Sequence, residues 1–138
     1  MTRPVFSSEN PVIEYEPRPA AYAVITDQKG RIAAVKGTRR GYFLPGGGSL
    51  SGETAEETVA REVREELTRD VRIVRRIGEA IQFFYADGRH YRMEAVFFEA
   101  EFASEAVGAG EHELHWLESE EIERAFFHQC HVWAAGQL

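Results

Sequence analysis

A glutamate-rich segment, "GGGSLSGETAEETVAREVREEL", contains the side chains with the clearest potential for chemistry. Thr54 and Glu57 have the spacing of a capping box, which predicts a helix that begins near Thr54. At 100° per residue, Glu62, Glu65 and Glu66 fall within an arc of about 100° on one face of this helix. Carboxylates in this arrangement can bind a divalent cation, and an all-oxygen ligand set favours Mg²⁺ or Mn²⁺.

A solvated acidic face is the ordinary explanation for such a run of charges. It has a cost here, because Glu62 lies three and four residues before Glu65 and Glu66, and each like-charge pair is unfavourable by roughly 0.2 to 0.5 kcal/mol. Arg61 lies four residues after Glu57, so the two are expected to pair on the outer side of the helix, away from the three glutamates. A metal site is therefore favoured over a plain surface.

The elements that must position this helix are mostly strands. Period-two alternation and turn residues predict strands at 20–26, 31–35, 42–44, on both sides of a turn at 86–88, and at "ELHWL", with a turn at 28–30. Residues 1–19 are proline-rich and predict an extended N-terminal arm with a short strand near 13–15. A second helix is predicted from 119 to about 133.

The apolar stripe of the glutamate helix is expected to pack on these strands. The stripe consists of Val59, Ala60, Val63 and Leu67. Strands covered by two helices predict an α/β sandwich with a mixed sheet. The chain has 138 residues, which is enough for one hydrophobic core, and a single domain is predicted over 1–138.

The spacing within the segment resembles the Nudix box of the MutT-like pyrophosphohydrolases. The matching positions are Gly47, Glu53, Arg61, Glu62, Val63, Glu65 and Glu66. "GYFLPGGG" upstream and "LHWLESEEIE" downstream also look like their family counterparts. The resemblance implies a Nudix-type α/β/α sandwich and a metal-dependent hydrolase that uses water to cleave a nucleoside diphosphate linked to another moiety.

The resemblance also implies roles for individual residues. The implied catalytic residues are Glu53, Arg61, Glu62, Glu65 and Glu66. The implied ligands of Mg²⁺ or Mn²⁺ are Glu62, Glu65, Glu66 and the carbonyl of Gly46. In some family members a later glutamate assists as a base or ligand, and Glu111 or Glu113 occupies that region here.

The end of the box departs from the family pattern, since Thr68 and Arg69 stand where a glycine and an apolar residue are usual. We expect Thr68 to adopt the left-handed conformation that ends the helix, because Val71 and Ile73 already alternate as in a strand. Replacement of Thr68 by glycine should then relieve steric strain and raise stability.

Candidate substrate-binding residues lie outside the box. Arg39 and Arg40 could contact phosphates, and the aromatic residues Phe83 and Tyr85, together with Phe84 and Tyr91, could stack on a base. The expected substrate is a (deoxy)nucleoside triphosphate or a modified nucleotide. The alternatives are ADP-ribose, nucleotide sugars or dinucleoside polyphosphates, and a non-catalytic nucleotide-binding or regulatory module.

Composition limits the partners. The net charge of −7 argues against polymeric DNA or RNA, and no run of about 20 apolar residues predicts a membrane helix. With no apolar signal core and with Cys130 as its only cysteine, the chain is predicted to be cytoplasmic, as a monomer or homodimer. His112 with His115, and His128 with Cys130 and His131, suggest a zinc site, although their spacing does not favour one.

Overall fold

The computed structural model describes residues 3–37 and 41–138. Its strands are β1 (Val5–Phe6), β2 (Glu16–Val24), β3 (Ile32–Lys36), β4 (Tyr42–Phe43), β5 (Gly46–Gly48), β6 (Val71–Ala86), β7 (Arg89–Phe102) and β8 (Leu114–Leu117). Its helices are α1 (Ala55–Leu67), α2 (Ile122–Ala125) and α3 (Gln129–Ala135), and a 3₁₀ turn at Ser119–Glu121 leads into α2. Within these two described ranges, no helix has the length and apolar character needed to cross a membrane.

The main sheet has the strand order β1-β6-β7-β2-β5, and a smaller sheet has the order β4-β3-β8. β6 and β7 form an antiparallel hairpin whose turn residues Asp87 and Gly88 both have positive φ, as an Asp-Gly hairpin turn requires. β7 runs parallel to β2, and β2 runs antiparallel to β5 with Tyr22 opposite Gly46. The main sheet is therefore mixed, and β5 lies at its edge.

Helices cover the two faces of the main sheet because alternate residues of β2 point to opposite sides. Ala21 and Ala23 belong to the core cluster that contains Val59 of α1. Tyr22 belongs to the other cluster, which contains Cys130 of α3. The predicted α/β/α sandwich with a mixed sheet is confirmed.

The first two predicted strands and the turn between them are present, but β2 and β3 belong to different sheets. They meet at a bridge between Thr26 and Ile32, and Ala33 N–H donates to the Ile25 carbonyl at 2.9 Å. The hairpin stops there because β5 and β7 already occupy the two edges of β2.

The N-terminal arm differs from the prediction, since β2 begins at Glu16 and the short strand is β1 rather than 13–15. Pro17 and Pro19 are tolerated in β2 because Pro19 faces β5, where its carbonyl accepts from Ser49 N–H at 2.9 Å. The N–H and C=O of a strand residue point to the same side, and Pro17 lies two residues before Pro19, so neither missing N–H group removes a bond to β7.

The predicted helix over 119–133 is wrong as a continuous element, because it is interrupted between α2 and α3. Phe126 has extended backbone angles and bridges Tyr42, whose carbonyl accepts from Phe127 N–H at 2.9 Å. Pairing with β4 therefore replaces one turn of helix.

Helix α1 begins as predicted. Thr54 Oγ1 accepts from Glu57 N–H at 3.1 Å, and Glu57 Oε1 accepts from Thr54 N–H at 2.9 Å. Val59, Val63 and Leu67 are buried, as expected for the apolar stripe. The expected burial of Ala60 is wrong, since Ala60 is exposed. Buried Thr58 lies on the packed side instead.

Candidate active site

The glycines of β5 leave room for acidic side chains from α1. A methyl group added at Gly47 would lie 2.8 Å from the carboxyl carbon of Glu62. A methyl group at Gly46, where φ is +144°, would clash with the Ala21 carbonyl. The backbone of β5 can therefore approach both α1 and β2 only because these positions lack a Cβ.

Side chains of α1 also bond the outer edge of β5. Gly46 N–H donates to Glu66 Oε1 at 3.1 Å, and the Gly48 carbonyl accepts from Arg61 Nη2 at 2.9 Å. These two bonds take the place of a neighbouring strand on this edge. They fix the glutamate face of the helix against the glycine backbone.

Arg61 connects three of the predicted catalytic glutamates. Its Nε donates to Glu53 Oε2 at 2.7 Å and its Nη2 to Glu53 Oε1 at 3.0 Å. Its Nη1 donates to Glu62 Oε1 at 3.0 Å and to Glu65 Oε2 at 2.9 Å. The expected pair with Glu57 is wrong, because Glu57 serves the capping box. Glu53 and Arg61, both implied catalytic residues, are in direct contact.

Glu53 ties the loop after β5 to α1. Besides Arg61, its carboxylate accepts from Leu50 N–H and from Thr58 Oγ1, each at 2.9 Å. The hydrogen bonds from Arg61 are the main reason that the pKa of Glu53 is lowered to about 2. Glu53 is therefore ionised across the physiological pH range.

Glu66 has the opposite electrostatic environment. Its side chain lies in the interior, since the residue is only 6% exposed. Its pKa is raised to about 9, mainly by burial and in smaller part by nearby Glu62 and Glu111, against the lowering effect of the hydrogen bond from Gly46. Burial also raises the pKa of Glu62, although Arg61 opposes this shift. Two neighbouring carboxylates thus resist ionisation in the absence of a cation.

The helix ends in the conformation predicted for Thr68, with φ 53° and ψ 38°. The Thr68 hydroxyl donates to the Gly108 carbonyl at 2.9 Å and lies 3.3 Å from Val107 N–H, which donates to it. These bonds attach the loop that precedes β8 to the end of α1. The threonine thus contributes a contact that glycine could not make.

The same loop brings Glu111 towards the site. Glu111 N–H donates to the Glu65 carbonyl at 3.1 Å, and His112 N–H donates to the Glu66 carbonyl at 3.0 Å. The charge of Glu111 acts on the pKa values of both Glu62 and Glu66. By contrast, the Glu113 side chain is 90% exposed, and its carboxylate lies 4.0 Å from His115. Of the two later glutamates, Glu111 is the one near the α1 carboxylates.

A cleft of about 290 Å³ runs from these carboxylates to a group of aromatic rings. Gly46, Gly47, Gly48, Glu62 and Glu66 are among the residues that line it near α1. The rings of Phe84 and Tyr91 line the other part and stack on each other at 5.0 Å with an angle of 26°. The His128 ring lies 4.6 Å from Phe84, edge to face.

The structure places the predicted base-stacking residues Phe83 and Tyr85 outside this cleft. Phe83 is buried against the Tyr15 ring at 4.8 Å, and Tyr85 is 60% exposed beside His90. Alternate residues of β6 face opposite sides of the sheet, so Phe84 faces the cleft and its two neighbours do not. The predicted phosphate contacts Arg39 and Arg40 lie outside the described residues.

Sequence reasoning missed Arg18, Asp87 and Phe43, which also line the cleft. Arg18 was missed because residues 1–19 were assigned to an arm, whereas it lies within β2. Asp87 was interpreted only as a turn residue. No sequence signal separates Phe43 from an ordinary strand residue.

The described ranges 3–37 and 41–138 contain no group of three or more His, Cys, Asp or Glu residues already arranged to hold a metal ion. The histidines suggested for zinc serve other contacts. His131 is buried and its Nδ1 accepts from Leu44 N–H at 3.1 Å, while the His115 ring packs on Tyr42 at 5.1 Å. Glu62 and Glu65 were predicted to face a cation together. In the structure Arg61 donates hydrogen bonds to both carboxylates.

The chemistry of the α1 carboxylates nevertheless fits a hard cation. Glu66 is buried, and in the described part of the chain its hydrogen-bond donor is the Gly46 amide rather than a positively charged group. A buried carboxylate favours its neutral form unless a cation compensates its charge. Glu62 and Glu65 lie on the same helix face as Glu66, so the atoms available as metal ligands are all oxygens, which Mg²⁺ and Mn²⁺ prefer.

Comparison with known proteins identifies the family. The sequence model described as the NUDIX domain matches residues 16–132, whereas no curated protein matches the chain significantly. A MutT NUDIX hydrolase from Burkholderia pseudomallei is 26% identical, with 89% of this chain and 98% of that chain covered and a TM-score of 0.70. A NUDIX hydrolase from Nitrosomonas europaea is 17% identical, with 88% of each chain covered and a TM-score of 0.74.

A third solved structure, an ADP-ribose pyrophosphatase from Streptococcus suis, is 19% identical, with 76% of each chain covered and a TM-score of 0.59. Similarity at this level of identity shows the fold, whereas the family match extends over most of the sequence. The chain therefore belongs to the Nudix family and is a Nudix pyrophosphohydrolase, a hydrolase that acts on acid anhydrides.

Proposed function

We propose that this Nudix hydrolase cleaves (deoxy)nucleoside triphosphates or modified nucleotides by attack of water at phosphorus. The observation that supports this most directly is the single cleft that joins the α1 carboxylates to the stacked rings of Phe84 and Tyr91. Its volume, about 290 Å³, is at the lower end of the range for small-molecule sites. Such a cleft suits one nucleotide better than a conjugate with two large groups.

Nudix enzymes generally use a divalent metal. We assign Glu62, Glu65, Glu66 and the Gly46 carbonyl as its ligands, with Glu111 as a further ligand or as the base that accepts a proton from water. When bound, the cation would neutralise diphosphate oxygens and lower the pKa of water. The buried, charge-uncompensated carboxylate of Glu66 supports this assignment.

The other residues of the site hold the loop and helix in place and orient the base of the substrate. Arg61 and Glu53 fix the loop after β5 against α1 through two charge-assisted hydrogen bonds, so the glutamate face keeps its position beside Gly48. Phe84 and Tyr91 offer apolar surfaces on which a base can stack. We assign base binding to these two rings in place of Phe83 and Tyr85.

The similar structures support a triphosphate as the first substrate to test. The MutT NUDIX hydrolase from Burkholderia pseudomallei is 26% identical to this chain, whereas the ADP-ribose pyrophosphatase is 19% identical. ADP-ribose, nucleotide sugars and dinucleoside polyphosphates are the alternatives of the same reaction class. They differ from triphosphates in what is attached beyond the diphosphate.

The proposal is tested by assaying a panel of these four classes with Mg²⁺ and with Mn²⁺, and by identifying the products. We expect the highest kcat/KM for a nucleoside triphosphate, with a nucleoside monophosphate and pyrophosphate as products. Glu53→Gln should lose activity on the same substrate, whereas Glu56→Gln, an exposed acid on the same helix, should keep it. A higher kcat/KM for ADP-ribose or a nucleotide sugar would contradict the proposed substrate.

A non-catalytic nucleotide-binding module would show a different result. It would bind nucleotide in the presence of Mg²⁺ without converting it, even in a single turnover with enzyme in excess over labelled triphosphate. The complete set of box carboxylates favours turnover, and product formation under these conditions would exclude the binding module.

A further inference from the structure

Arg18 lies in the cleft but has no role in the assignments above. It is in β2, opposite Met93 of β7, and it is half-buried. Its guanidinium carbon lies 5.9 Å from the centre of the Tyr91 ring. A methyl group added at Gly48 would lie 3.3 Å from the same carbon. Arg18 thus occupies the space between the glycine strand and the aromatic part of the cleft.

Arg18 differs from neighbouring arginines of the sheet because it forms no ion pair with a described carboxylate. In the part of the chain that the structure describes, no carboxylate lies within ion-pair distance of Arg18, whereas Arg89 and Arg92 of the adjacent strand pair with Glu16 and Glu94. A half-buried cation without a counterion is less fully hydrated than an exposed one, so a ligand that supplies negative charge binds favourably beside it. This arrangement indicates an anionic ligand.

The position of Arg18 specifies where the anion would be. A methyl group added at Gly47 would lie 2.8 Å from the carboxyl carbon of Glu62, and one added at the next residue, Gly48, would lie 3.3 Å from the guanidinium carbon of Arg18, so both side chains lie near the same part of β5. Among the described residues that line the cleft, Arg18 is the one with a permanent positive charge. It therefore opposes the repulsion between a diphosphate and Glu62 and Glu66, in addition to the neutralisation that a bound cation would supply.

We propose that Arg18 is a phosphate-binding residue of this cleft, which contacts diphosphate oxygens across β5 from Glu62 and Glu66. The planar guanidinium can donate two parallel hydrogen bonds to a phosphate, which a lysine cannot do. The absence of a side chain at Gly48 lets the guanidinium lie directly against β5. The inference rests on the proposed function only in that the substrate contains a diphosphate.

Another role for Arg18 would be to support the Tyr91 ring through a cation–π contact. In that case its loss would weaken binding of the base rather than of the phosphates. A nucleoside without phosphate and a diphosphate without nucleoside therefore distinguish the two roles.

The test uses the full chain with Mg²⁺ and the best substrate from the panel, and it compares Arg18→Met and Arg18→Lys with the wild type. Inhibition constants are measured for methylenediphosphonate and for the free nucleoside of that substrate. For Arg18→Met we expect the methylenediphosphonate constant and KM to rise about tenfold or more, with less than a twofold change for the nucleoside. Arg18→Lys should be intermediate, because it keeps the charge but not the paired donors. Arg89→Met, an exposed arginine on the same sheet, serves as the control and should change neither constant.

Unchanged inhibition by methylenediphosphonate in Arg18→Met would overturn the inference, as would an equal loss of affinity for the nucleoside. Thermal denaturation of each variant checks that it is folded, and Arg18→Lys supplies the result if Arg18→Met is not. A preference of the wild type for ADP-ribose would overturn the proposed substrate, but a weaker binding of methylenediphosphonate by Arg18→Met would still support the role of Arg18.

Discussion

The ionised form of Glu66 is needed to bind a cation, but its burial in the fold favours the neutral form. The buried carboxylate is bonded by one backbone amide, and burial raises its pKa to about 9. In the unfolded chain the group ionises near its ordinary pKa of 4.5. Folding therefore becomes less favourable as pH rises from about 5 towards 9, by at most about 1.4 kcal/mol per pH unit in metal-free solution.

Glu66→Gln should affect turnover and stability in opposite directions. The amide is nearly isosteric and stays neutral, so the variant should lose turnover by orders of magnitude and yet be at least as stable as the wild type at pH 8 without metal. Urea denaturation at pH 5 and pH 8 measures the stability, and the same substrate assay measures turnover. A variant that is much less stable than the wild type at pH 8 would show that the carboxylate is a structural group.

Glu53 should give the opposite pH dependence. Hydrogen bonds from Arg61 lower its folded-state pKa to about 2, below the ordinary value of 4.5. Its contribution to stability is therefore fully present above about pH 5 and is lost as pH falls through 4.5 towards 2. Glu53→Gln should be less stable than the wild type at pH 7, and this difference should shrink at pH 3, as measured by urea denaturation at both pH values. An equal difference at both pH values would contradict the assigned pairing.

At the scale of single residues, the sequence predicted the box carboxylates and named four aromatic candidates, but it did not predict which of these rings line the cleft. The box spacing is specific because each position serves one contact, as the bonds between Arg61 and Glu53 illustrate. In "QFFYA", any alternate pair of aromatics can face the cleft, and only pairing with β7 determines that Phe84 does so. Of the four aromatic candidates, Phe84 and Tyr91 therefore line the cleft, whereas Phe83 and Tyr85 do not.

At the scale of elements, local sequence signals predicted the ends of a helix correctly where no distant segment pairs with its backbone. The capping box and the left-handed Thr68 define both ends of α1 from residues in the helix and immediately beside it. The break between α2 and α3 could not be predicted in this way, because it depends on hydrogen bonding between Phe127 and Tyr42, which lies 85 residues earlier in the chain (127 − 42). Long-range pairing overrides local helix preference there.

The hydroxyl of Thr68 changes what is expected of substitutions at the end of α1. Glycine would relieve left-handed strain of roughly 1 to 2 kcal/mol but would lose the bond to Gly108, worth about 0.5 to 1.5 kcal/mol. Thr68→Gly should therefore lie between about 0.5 kcal/mol less stable and about 1.5 kcal/mol more stable than the wild type. Thr68→Val keeps the strain and loses the bond, so it should be the least stable of the three in urea denaturation. If valine were as stable as threonine, the hydroxyl contacts would be without energetic effect.

At the scale of the whole molecule, a cation bound at α1 should stabilise the fold. The unfolded chain lacks the site, so Mg²⁺ or Mn²⁺ should raise the free energy of unfolding by about 1.4 kcal/mol for each tenfold excess of the metal concentration over Kd. The melting temperature should rise accordingly with metal concentration. Glu62→Gln should reduce this shift, whereas Glu56→Gln should leave it unchanged. Thermal denaturation with and without chelator measures the shift, and equal shifts in both variants would place the cation elsewhere.

The bonds from α1 to the outer edge of β5 have a consequence for the behaviour of the protein at high concentration. An unprotected edge strand presents free amides and carbonyls to which a strand of another molecule can add. Here the amide of Gly46 and the carbonyl of Gly48 are already bonded to Glu66 and Arg61. The groups that form the site therefore also protect the sheet from intermolecular pairing. Variants of Arg61 should consequently be examined for self-association, since an apparent loss of activity can also arise from aggregation.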